Sequence, residues 1–161
     1  EENMNITVIS VGKIKEKYFT AAIDEYSKRL SRFAKLNIIE VADEKIPDNA
    51  SEKEMEQIKE KEGNKILAKL PQNSFVVTLC IEGKEHSSEE LAKKIADISM
   101  TSSHITFIIG GSLGLSDTVK SKSALRLSFG KMTLPHQLMR VVLLEQIYRA
   151  FKINNNESYH K

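Results

Sequence analysis

The chain has 161 residues, of which 40% are hydrophobic and 29% are charged, a balance that excludes disordered and fibrous proteins. Its formal net charge of +2 is too small to indicate nucleic-acid binding by itself. It holds no apolar run long enough to cross a bilayer and no signal peptide at its start, so the sequence predicts a cytoplasmic protein without a membrane partner.

The first half of the chain alternates strand-like and helix-like patterns. Residues 1–3 precede Met4 and are expected to be a non-native or disordered leader, with one domain over residues 4–161. Ser51 and Glu54 have the spacing of a capping box, which opens the second helix. In chain order, the predicted elements are a strand at 5–12, a helix at 16–34, a strand at 36–41, a loop at 42–50 and a helix at 51–70.

The second half continues this alternation. Ser87 and Glu90 form another capping box, and Pro135 suits the first turn of the last helix. The tail over residues 153–161 is too polar to be predicted as a helix. In chain order, the predicted elements are a strand at 75–81, a helix at 89–99, a strand at 104–109, a short helical turn at 117–122, a strand at 124–129 and a helix at 135–152.

Strands that alternate with helices indicate an α/β fold, a three-layer sandwich with a mostly parallel sheet and helices on both faces. Ligands of such sheets bind beyond the carboxyl ends of the strands. Three positions are therefore candidates: the chain after Leu79, after Ile109 and after Phe129. Cys80, the one cysteine, follows the first of them inside an apolar run and is interpreted as a buried core thiol rather than a nucleophile.

The second position carries the glycine-rich run GGSLG at 110–114. Glycines directly after a buried strand let the backbone approach a ligand closely. Their spacing fails the dinucleotide fingerprint, which argues against a nicotinamide oxidoreductase, and the chain has no phosphate-binding GK(S/T) motif. As a pattern alone, the run is either a ligand cradle or a tight turn.

The third position, FGKMTLP at 129–135, combines a flexible glycine, backbone donors and apolar side chains. A neutral purine ring suits such a pocket, with backbone groups contacting its edge. An ordinary strand-to-helix loop has the same pattern, and the pattern alone favours it slightly.

The last predicted helix is apolar around most of its circumference, whereas a surface helix has one apolar stripe. In so small a protein such a helix must bury a second face, which predicts a symmetric homodimer; a central helix within a monomer is the alternative. Glu145 and Arg149 lie four residues apart on this helix, as do His136 and Arg140. The first pair has the spacing of an ordinary helix-stabilising ion pair.

The chain ends in Tyr159, His160 and Lys161. A frayed terminus is the usual state of such a segment. Tyrosine and histidine are nevertheless unusual choices for a disordered end, and histidine titrates near neutral pH. The four histidines have no metal-ligand spacing, so no metal is predicted.

Three segments together carry a resemblance to a known family. They are IIGGSLGLS at 108–116, LSFGKMTLPHQLMRVVLLEQIYRAFKI at 127–153 and SYHK at 158–161. On these segments the chain closely resembles the RlmH family of the SPOUT, or α/β-knot, class, whose members methylate N3 of a pseudouridine in large-subunit (23S) ribosomal RNA. The likeness also includes VGKIKEKY near the start and KEG in the second helix.

The resemblance implies a SPOUT domain with a C-terminal trefoil knot, a homodimer, and S-adenosylmethionine as cofactor, bound by three loops at the knot. Carried onto this sequence, those loops coincide with the three strand ends selected above. The residues implied to bind the cofactor are Leu79, Gly110, Phe129, Gly130, Lys131, Met132, Thr133 and Leu134.

The resemblance also implies four residues around the target base: Glu145, Arg149, Tyr159 and His160. His160 is the expected proton acceptor for the ring imide nitrogen, and Tyr159 is expected to stack on the base or hydrogen-bond to it. Arg149 is expected to stabilise the imide anion or to hold a phosphate. A composite site is expected, in which the tail of one subunit meets the cofactor pocket of the other.

The RNA substrate is expected to be recognised through shape and single-stranded bases on the assembled ribosome. Basic residues outnumber acidic ones from Lys131 onward, which predicts either a phosphate-tracking patch or scattered surface charge. The basic residues of this predicted patch are Lys131, Arg140, Arg149, Lys152 and Lys161. Two rival functions remain: a ribosome-associated binding module without catalysis, and a knotted methyltransferase that acts on transfer RNA.

Overall fold

The computed structural model describes residues 3–161, so the predicted leader at 1–3 lies outside the described residues except for Asn3. Strands and helices alternate along the chain as predicted. In chain order, the elements are β1 Met4–Val11, α1 Lys17–Leu30, β2 Ala34–Val41, α2 Glu52–Lys69, β3 Phe75–Glu85, α3 Ser88–Ser99, β4 His104–Ile109, α4 Asp117–Lys120, β5 Leu125–Ser128 and α5 His136–Asn154.

The strands form one five-stranded sheet in the order β2-β1-β4-β3-β5, and all neighbours in it are parallel. The central strands β1 and β4 are in register from Asn5 opposite His104 to Ser10 opposite Ile109. Nearly every residue of these two strands is buried, as a sheet covered on both faces requires. The predicted three-layer α/β sandwich is confirmed.

Helices cover both faces of the sheet. On one face, α1, α3 and α5 pack over a large apolar cluster that includes Phe107 and Ile147. On the other face, α2 and α4 pack over a smaller cluster that includes Ile66 and Ile108. Successive residues of β4 thus supply opposite cores. Within residues 3–161, none of these helices is both long and apolar enough to cross a membrane.

α5 crosses the full height of the sheet. Near its start, Arg140 donates to the carbonyl oxygens of Val11 and Gly12, at the carboxyl end of β1, at 2.9 and 2.7 Å. Near its end, Phe151 stacks on Phe33, directly before β2 begins, with ring centroids 5.6 Å apart. The helix therefore runs from the carboxyl edge of the sheet to its amino edge.

Both predicted capping boxes are present. Ser51 accepts from the Glu54 N–H at 3.1 Å, and the Glu54 carboxylate accepts from the Ser51 N–H at 3.2 Å. Ser87 and Glu90 repeat the arrangement at 3.1 and 2.9 Å. Each box satisfies backbone donors that the first helical turn leaves unpaired.

The boundaries of α1, β3 and α5 differ from the prediction. The first helix ends at Leu30, because the chain turns there and Ala34 already belongs to β2. β3 continues to Glu85, because it bulges after Leu79 and then pairs with β5 again. α5 begins one residue after Pro135 and runs two residues beyond its predicted end.

Candidate functional site

A cavity of about 710 Å³ opens at the carboxyl edge of the sheet. Three segments of the chain line it: the bulge after Leu79 in β3, the loop after Ile109 at the end of β4, and the loop that joins β5 to α5. These are the three positions that the sequence selected, although the one after Leu79 is a bulge within β3 and not its end. The volume lies within the range of small-molecule sites.

The bulge in β3 forms one wall of the cavity. β3 pairs with β5 through Leu79, loses register, and pairs again at Lys84. Gly83 permits this close approach, because a Cβ there would lie 2.6 Å from the carbonyl oxygen of Arg126. Cys80 lies in this wall, and burial raises the pKa of its thiol. The interpretation of Cys80 as a buried core thiol is confirmed.

Ser128 joins two of the three segments. Its hydroxyl donates to the carbonyl oxygen of Ile81 at 2.9 Å and accepts from the Gly130 N–H at 3.1 Å. Ser128 is only 3% exposed, so these bonds are shielded from water. Ser128 was not predicted, because a serine at the end of a strand carries no signal of a contact 47 residues away.

The loop after β4 is a tight turn closed by its own backbone. The Gly114 N–H donates to the Gly111 carbonyl at 3.0 Å, and Gly114 has a φ of +84°. At Gly110 a Cβ would lie 2.8 Å from the carbonyl carbon of Gly114, so a side chain does not fit there. The run is a tight turn, and it also lines the cavity.

The lining of the cavity is mostly apolar, with a few charged groups. Lys120 binds Glu82 at 2.7 Å, which raises the pKa of Lys120 and lowers the pKa of Glu82. Of the predicted cofactor-binding residues, Lys131 alone does not line the cavity, and its side chain is exposed to solvent. Those that do line the cavity are Leu79, Gly110, Phe129, Gly130, Met132, Thr133 and Leu134.

The four residues implied to surround the target base form a separate cluster on the C-terminal half of α5 and the tail. Glu145 accepts from Arg149 Nε at 2.7 Å and from the Tyr159 hydroxyl at 2.6 Å. Arg149 Nη1 lies 3.1 Å from His160 Nδ1. The guanidinium carbon of Arg149 also lies 4.7 Å from the centroid of the Tyr159 ring.

Glu89, near the start of α3, completes this cluster. Its Oε1 lies 2.6 Å from His160 Nε2. An arginine can only donate, so the Nδ1 that faces Arg149 is unprotonated and Nε2 carries the proton that Glu89 accepts. Hydrogen bonds from the Glu89 backbone N–H and from His160 hold the pKa of the Glu89 carboxyl below its usual value. Glu89 was not predicted, because an acidic residue in the first turn of a helix gives no sign of a partner 71 residues away.

Tyr159 is held in its protonated form. The hydrogen bond to Glu145, together with burial, raises the pKa of Tyr159 to about 12. Its ring packs edge-on against Tyr148, with centroids 5.0 Å apart. At neutral pH, Tyr159 is therefore a hydrogen-bond donor and not a base.

Ion pairs hold the C-terminal tail against the rest of the chain. Glu157 binds Arg32 at 2.6 Å and Lys152 at 2.8 Å, and Lys152 is the stronger influence in lowering the pKa of the Glu157 carboxyl. α5 continues through Ile153 and Asn154, which the sequence assigned to the tail, and the rest of the tail is not helical but is not frayed either. Charge pairing thus adds to the packing of Tyr159 against Tyr148 in holding the tail.

Most of the basic residues in the predicted phosphate-tracking patch are already bound to acceptors. Arg140 is 3% exposed and donates to Glu40 Oε2 at 2.6 Å as well as to the two β1 carbonyls. Arg149 and Lys152 are held by the carboxylates described above. The residues of the patch that stay exposed are Lys131 and Lys161. The prediction of a continuous phosphate-tracking patch is therefore wrong, and the alternative of scattered surface charge describes these residues.

The cavity and the cluster lie far apart along α5. Met139 lines the cavity, and Arg149 follows ten residues later on the same helix. At a rise of about 1.5 Å per residue, the two positions are separated by roughly 15 Å. Groups that react must approach to about 3–3.5 Å. The cavity and the cluster of one chain therefore lie at separate positions along the helix.

Two histidines outside the cluster, His104 and His136, are partly buried. His104 Nε2 lies 2.7 Å from Thr7 Oγ1, and burial lowers the pKa of His104. Burial, followed by the charge of Arg140, also lowers the pKa of His136. Within residues 3–161, no group of three or more histidine, cysteine, aspartate or glutamate side chains is arranged to hold a metal ion.

Full-length relatives resemble this chain closely. It is 60% identical over 159 residues to ribosomal RNA large subunit methyltransferase H of Clostridioides difficile (strain 630). It is 62% identical over 159 residues to the protein of the same name from Clostridium novyi (strain NT). Each alignment covers 98% of this chain and 100% of the relative.

A solved structure and a family model agree with these relatives. The structure of a probable methylase family protein from Haemophilus influenzae Rd KW20 matches with a TM-score of 0.53, at 14% identity, over 99% of this chain and 71% of that chain. At this identity, the likeness shows the fold alone. A family model described as a predicted SPOUT methyltransferase matches residues 4–160. The chain therefore belongs to the SPOUT methyltransferase family, in the group named ribosomal RNA large subunit methyltransferase H.

Proposed function

We propose that this chain is an S-adenosylmethionine-dependent enzyme that methylates N3 of a pseudouridine in large-subunit (23S) ribosomal RNA. Its full-length relatives carry the name ribosomal RNA large subunit methyltransferase H. The observation that carries the proposal is the meeting of all three strand-end segments around one cavity of about 710 Å³. The residues that the family resemblance implies for the cofactor, except Lys131, thus lie around a common space.

The cavity has the chemistry that S-adenosylmethionine requires. Gly114 and Gly130 have positive φ, and a Cβ at either position would meet nothing within 4 Å, so a ligand can approach the main chain there. Apolar side chains such as Leu79 and Leu134 suit a flat adenine ring, and loop N–H and C=O groups can pair with its edge. When bound, the cofactor supplies a methyl group carried on a positively charged sulfonium.

The outward face of α5 supports a homodimer. Leu138, Val142, Glu145 and Arg149 follow one another along this face, and all are partly exposed. The two apolar residues lie towards the cavity end of the helix, whereas Glu145 and Arg149 belong to the cluster. Burial of Leu138 and Val142 against a second copy removes apolar surface from water.

A two-fold pairing of α5 with its partner also accounts for the separation of cavity and cluster. Two-fold symmetry lets the two helices run antiparallel, which brings the cluster end of each beside the cavity end of the other. We therefore place the active site between subunits. Each site would combine the cavity of one chain with Glu145, Arg149, Tyr159 and His160 of the other.

In this composite site, the chain's own residues prepare the base for methylation. The ring imide nitrogen is a poor nucleophile until its proton leaves, and His160 is the acceptor for that proton. Arg149 faces the negative charge that deprotonation leaves on the base. Glu145 orients both Arg149 and Tyr159 through its two carboxylate oxygens. Tyr159 stays protonated, so it can donate to a carbonyl oxygen of the base or stack on its ring.

The remaining expectations follow from the same proposal. An rRNA substrate on the assembled ribosome places the enzyme in the cytoplasm. The C-terminal trefoil knot stays a prediction from the family resemblance. We expect the enzyme to recognise its RNA through the shape of the assembled ribosomal surface and through single-stranded bases exposed on it.

The proposal is tested by incubating the purified protein with methyl-labelled S-adenosylmethionine and ribosomes that lack the modification, or free large-subunit RNA from them. Label that enters the RNA chiefly in intact ribosomes is the expected result. Equal labelling of free RNA keeps the activity but removes the requirement for an assembled surface. Absence of label despite measurable cofactor binding points to transfer RNA as the substrate, and absence of cofactor binding points to a binding module.

A further inference from the structure

The loop between β1 and α1 presents a group of exposed lysines. Lys13 and Lys15 lie in it, and Lys17 and Tyr18, the first residues of α1, continue it. Tyr18 is 66% exposed, and Glu16 is the one acidic residue among them. None of the three lysines forms an ion pair with a carboxylate of residues 3–161. Their positive charge is therefore not neutralised by the described part of the chain, in contrast to that of Arg140, which is buried.

The base of this loop is held rigidly. The Arg140 guanidinium donates to the carbonyl oxygens of Val11 and Gly12 at 2.9 and 2.7 Å. Glu40 Oε2 accepts both from Arg140 at 2.6 Å and from the Ile14 N–H at 3.0 Å. A loop that is fixed before binding loses little conformational entropy when a ligand docks on it.

The loop also adjoins the cavity. β1 lies next to β4 in the sheet, and the loop that follows β4 lines the cavity. A Cβ placed on Gly12 would lie 4.0 Å from Nε2 of His136, and His136 is itself a lining residue. The lysines therefore lie at the same edge of the sheet as the three segments that line the cavity.

We infer that this loop is a docking surface for the substrate RNA, with Lys13, Lys15 and Lys17 on its phosphates and Tyr18 stacked on one of its bases. The inference rests on the proposed function, which makes an RNA the substrate. Exposed lysines neutralise phosphates without reading sequence, and an exposed aromatic ring stacks on any base. An enzyme that acts on one nucleotide needs such contacts beside its cavity to hold the strand in place.

The test compares two triple variants. One carries Lys13→Gln, Lys15→Gln and Lys17→Gln; the matched control carries Lys69→Gln, Lys93→Gln and Lys122→Gln, which removes the same charge from exposed lysines of other elements. Binding to large ribosomal subunits and to a short single-stranded RNA is measured as a function of salt. Circular dichroism and calorimetry with S-adenosylmethionine check that both variants fold and bind the cofactor.

The loop variant is expected to bind both RNA probes about tenfold or more weakly, with a salt slope reduced by about 2, since each lost phosphate contact on a single strand removes roughly 0.7. The control is expected to keep the wild-type slope. Tyr18→Leu is expected to weaken binding roughly tenfold without changing the slope, because stacking releases no counterions.

Equal slopes for the loop variant and wild type, or an equal loss in the control, overturn the inference. Weaker binding to ribosomal subunits with unchanged binding to the short RNA also overturns it, because the loop would then contact a ribosomal protein. Methyl transfer by the wild-type chain is assayed separately. Its absence refutes the proposed function, whereas the binding comparison alone decides the role of the loop.

Discussion

Glu89 accepts a hydrogen bond from His160 Nε2 across 2.6 Å, although the two residues lie 71 positions apart in the chain. Arg149 donates to the other ring nitrogen, so both nitrogens of His160 are occupied. A base needs a free lone pair, so His160 accepts a proton only when the N–H of the target base replaces Arg149 at Nδ1. Glu89 then keeps the ring oriented and faces the positive charge that it acquires, as a carboxylate does beside a catalytic histidine.

Removal of either residue should lower turnover. His160→Ala is expected to reduce kcat about a hundredfold or more at saturating cofactor, the usual contribution of a general base. Glu89→Ala is expected to reduce kcat by a smaller factor, because it removes the orienting partner and leaves the accepting atom. Glu89→Gln, which keeps a hydrogen-bond acceptor, should recover part of the loss. The measurement is methyl transfer to ribosomes at saturating concentrations of both substrates.

Glu85→Ala is the matched control for these variants, because Glu85 is exposed at the end of β3, a few residues before Glu89. It should leave kcat unchanged. Near-normal turnover of His160→Ala would remove His160 as the proton acceptor. If Glu89→Ala turned over at the wild-type rate, the contact between Glu89 and His160 would be only a surface ion pair of little energetic value.

The hydrogen bond between Tyr159 and Glu145 makes the attachment of the tail sensitive to alkaline pH. The pKa of Tyr159 is raised from 10.0 to about 12, first by this bond and then by burial. The folded state thus favours the protonated phenol, so the stabilisation is complete below pH 10 and is lost as the pH rises through about 12. The free energy of unfolding should differ between wild type and Tyr159→Phe by a constant amount below pH 10, and this difference should then shrink.

A spectrophotometric titration of the phenol groups gives an independent measurement. Wild type should contain one tyrosine that ionises only near pH 12, and Tyr159→Phe should lack it. Glu145→Gln should bring this late ionisation to lower pH, because the carboxylate that accepts the hydrogen bond is gone. A wild-type titration without a late step would show that the tail leaves Glu145 in solution.

Features that depend on neighbouring residues were predicted from the sequence. The Ser51 and Ser87 capping boxes involve groups three residues apart, and both are present. The buried β4 strand was predicted within its observed bounds, because a continuous apolar run followed by glycines is a local signal. The carboxyl-edge rule then located the cavity, since it depends only on strand direction.

Features that depend on distant partners were missed. The sequence showed only that Arg140 lies four residues after His136 on one helix face, yet the guanidinium binds Glu40, 100 residues away. Ser128 and Glu89 likewise act through contacts with Ile81 and His160 that no local pattern encodes. These contacts depend on which strands become neighbours in the sheet, and helix and strand periodicity does not contain that information.

Arg140 should be important for stability. It is 3% exposed and binds Glu40 and two carbonyl oxygens, so its removal leaves acceptors at the end of β1 without their donor. Arg140→Met is expected to lower the free energy of unfolding by about 3 kcal/mol, because two buried carbonyl oxygens lose a charged donor while the partly exposed Glu40 carboxylate can still reach water. Urea denaturation followed by circular dichroism measures this change.

Lys93→Met is the matched comparison, because Lys93 pairs with Asp97 at 3.2 Å on the surface, with both side chains more than half exposed. Its effect should be below about 1 kcal/mol. Equal effects of the two substitutions would show that Arg140 does not hold the β1 end of the sheet to α5.

Complementation between two inactive variants tests the composite site. Leu134→Arg places a cation in the cavity, where it should repel the sulfonium of the cofactor. His160→Ala disables the cluster. Each variant alone should be nearly inactive.

If the cavity of one chain works with the cluster of the other, each mixed dimer keeps one intact site. An equal mixture with random pairing should then recover about a quarter of wild-type activity, since half of the dimers are mixed.

The control is a mixture of His160→Ala with Arg149→Ala, because both variants are defective in the cluster and neither is defective in the cavity. Every mixed dimer then keeps intact cavities but has two damaged clusters, so no activity should return. Co-expression with two affinity tags allows the mixed dimers to be isolated and their cofactor binding to be measured by calorimetry. If mixed dimers of Leu134→Arg and His160→Ala bind cofactor at one cavity and stay inactive, each chain must bring its own cluster to its own cavity. That outcome would require α5 or the tail to rearrange across the roughly 15 Å that separate the cavity residue Met139 from Arg149.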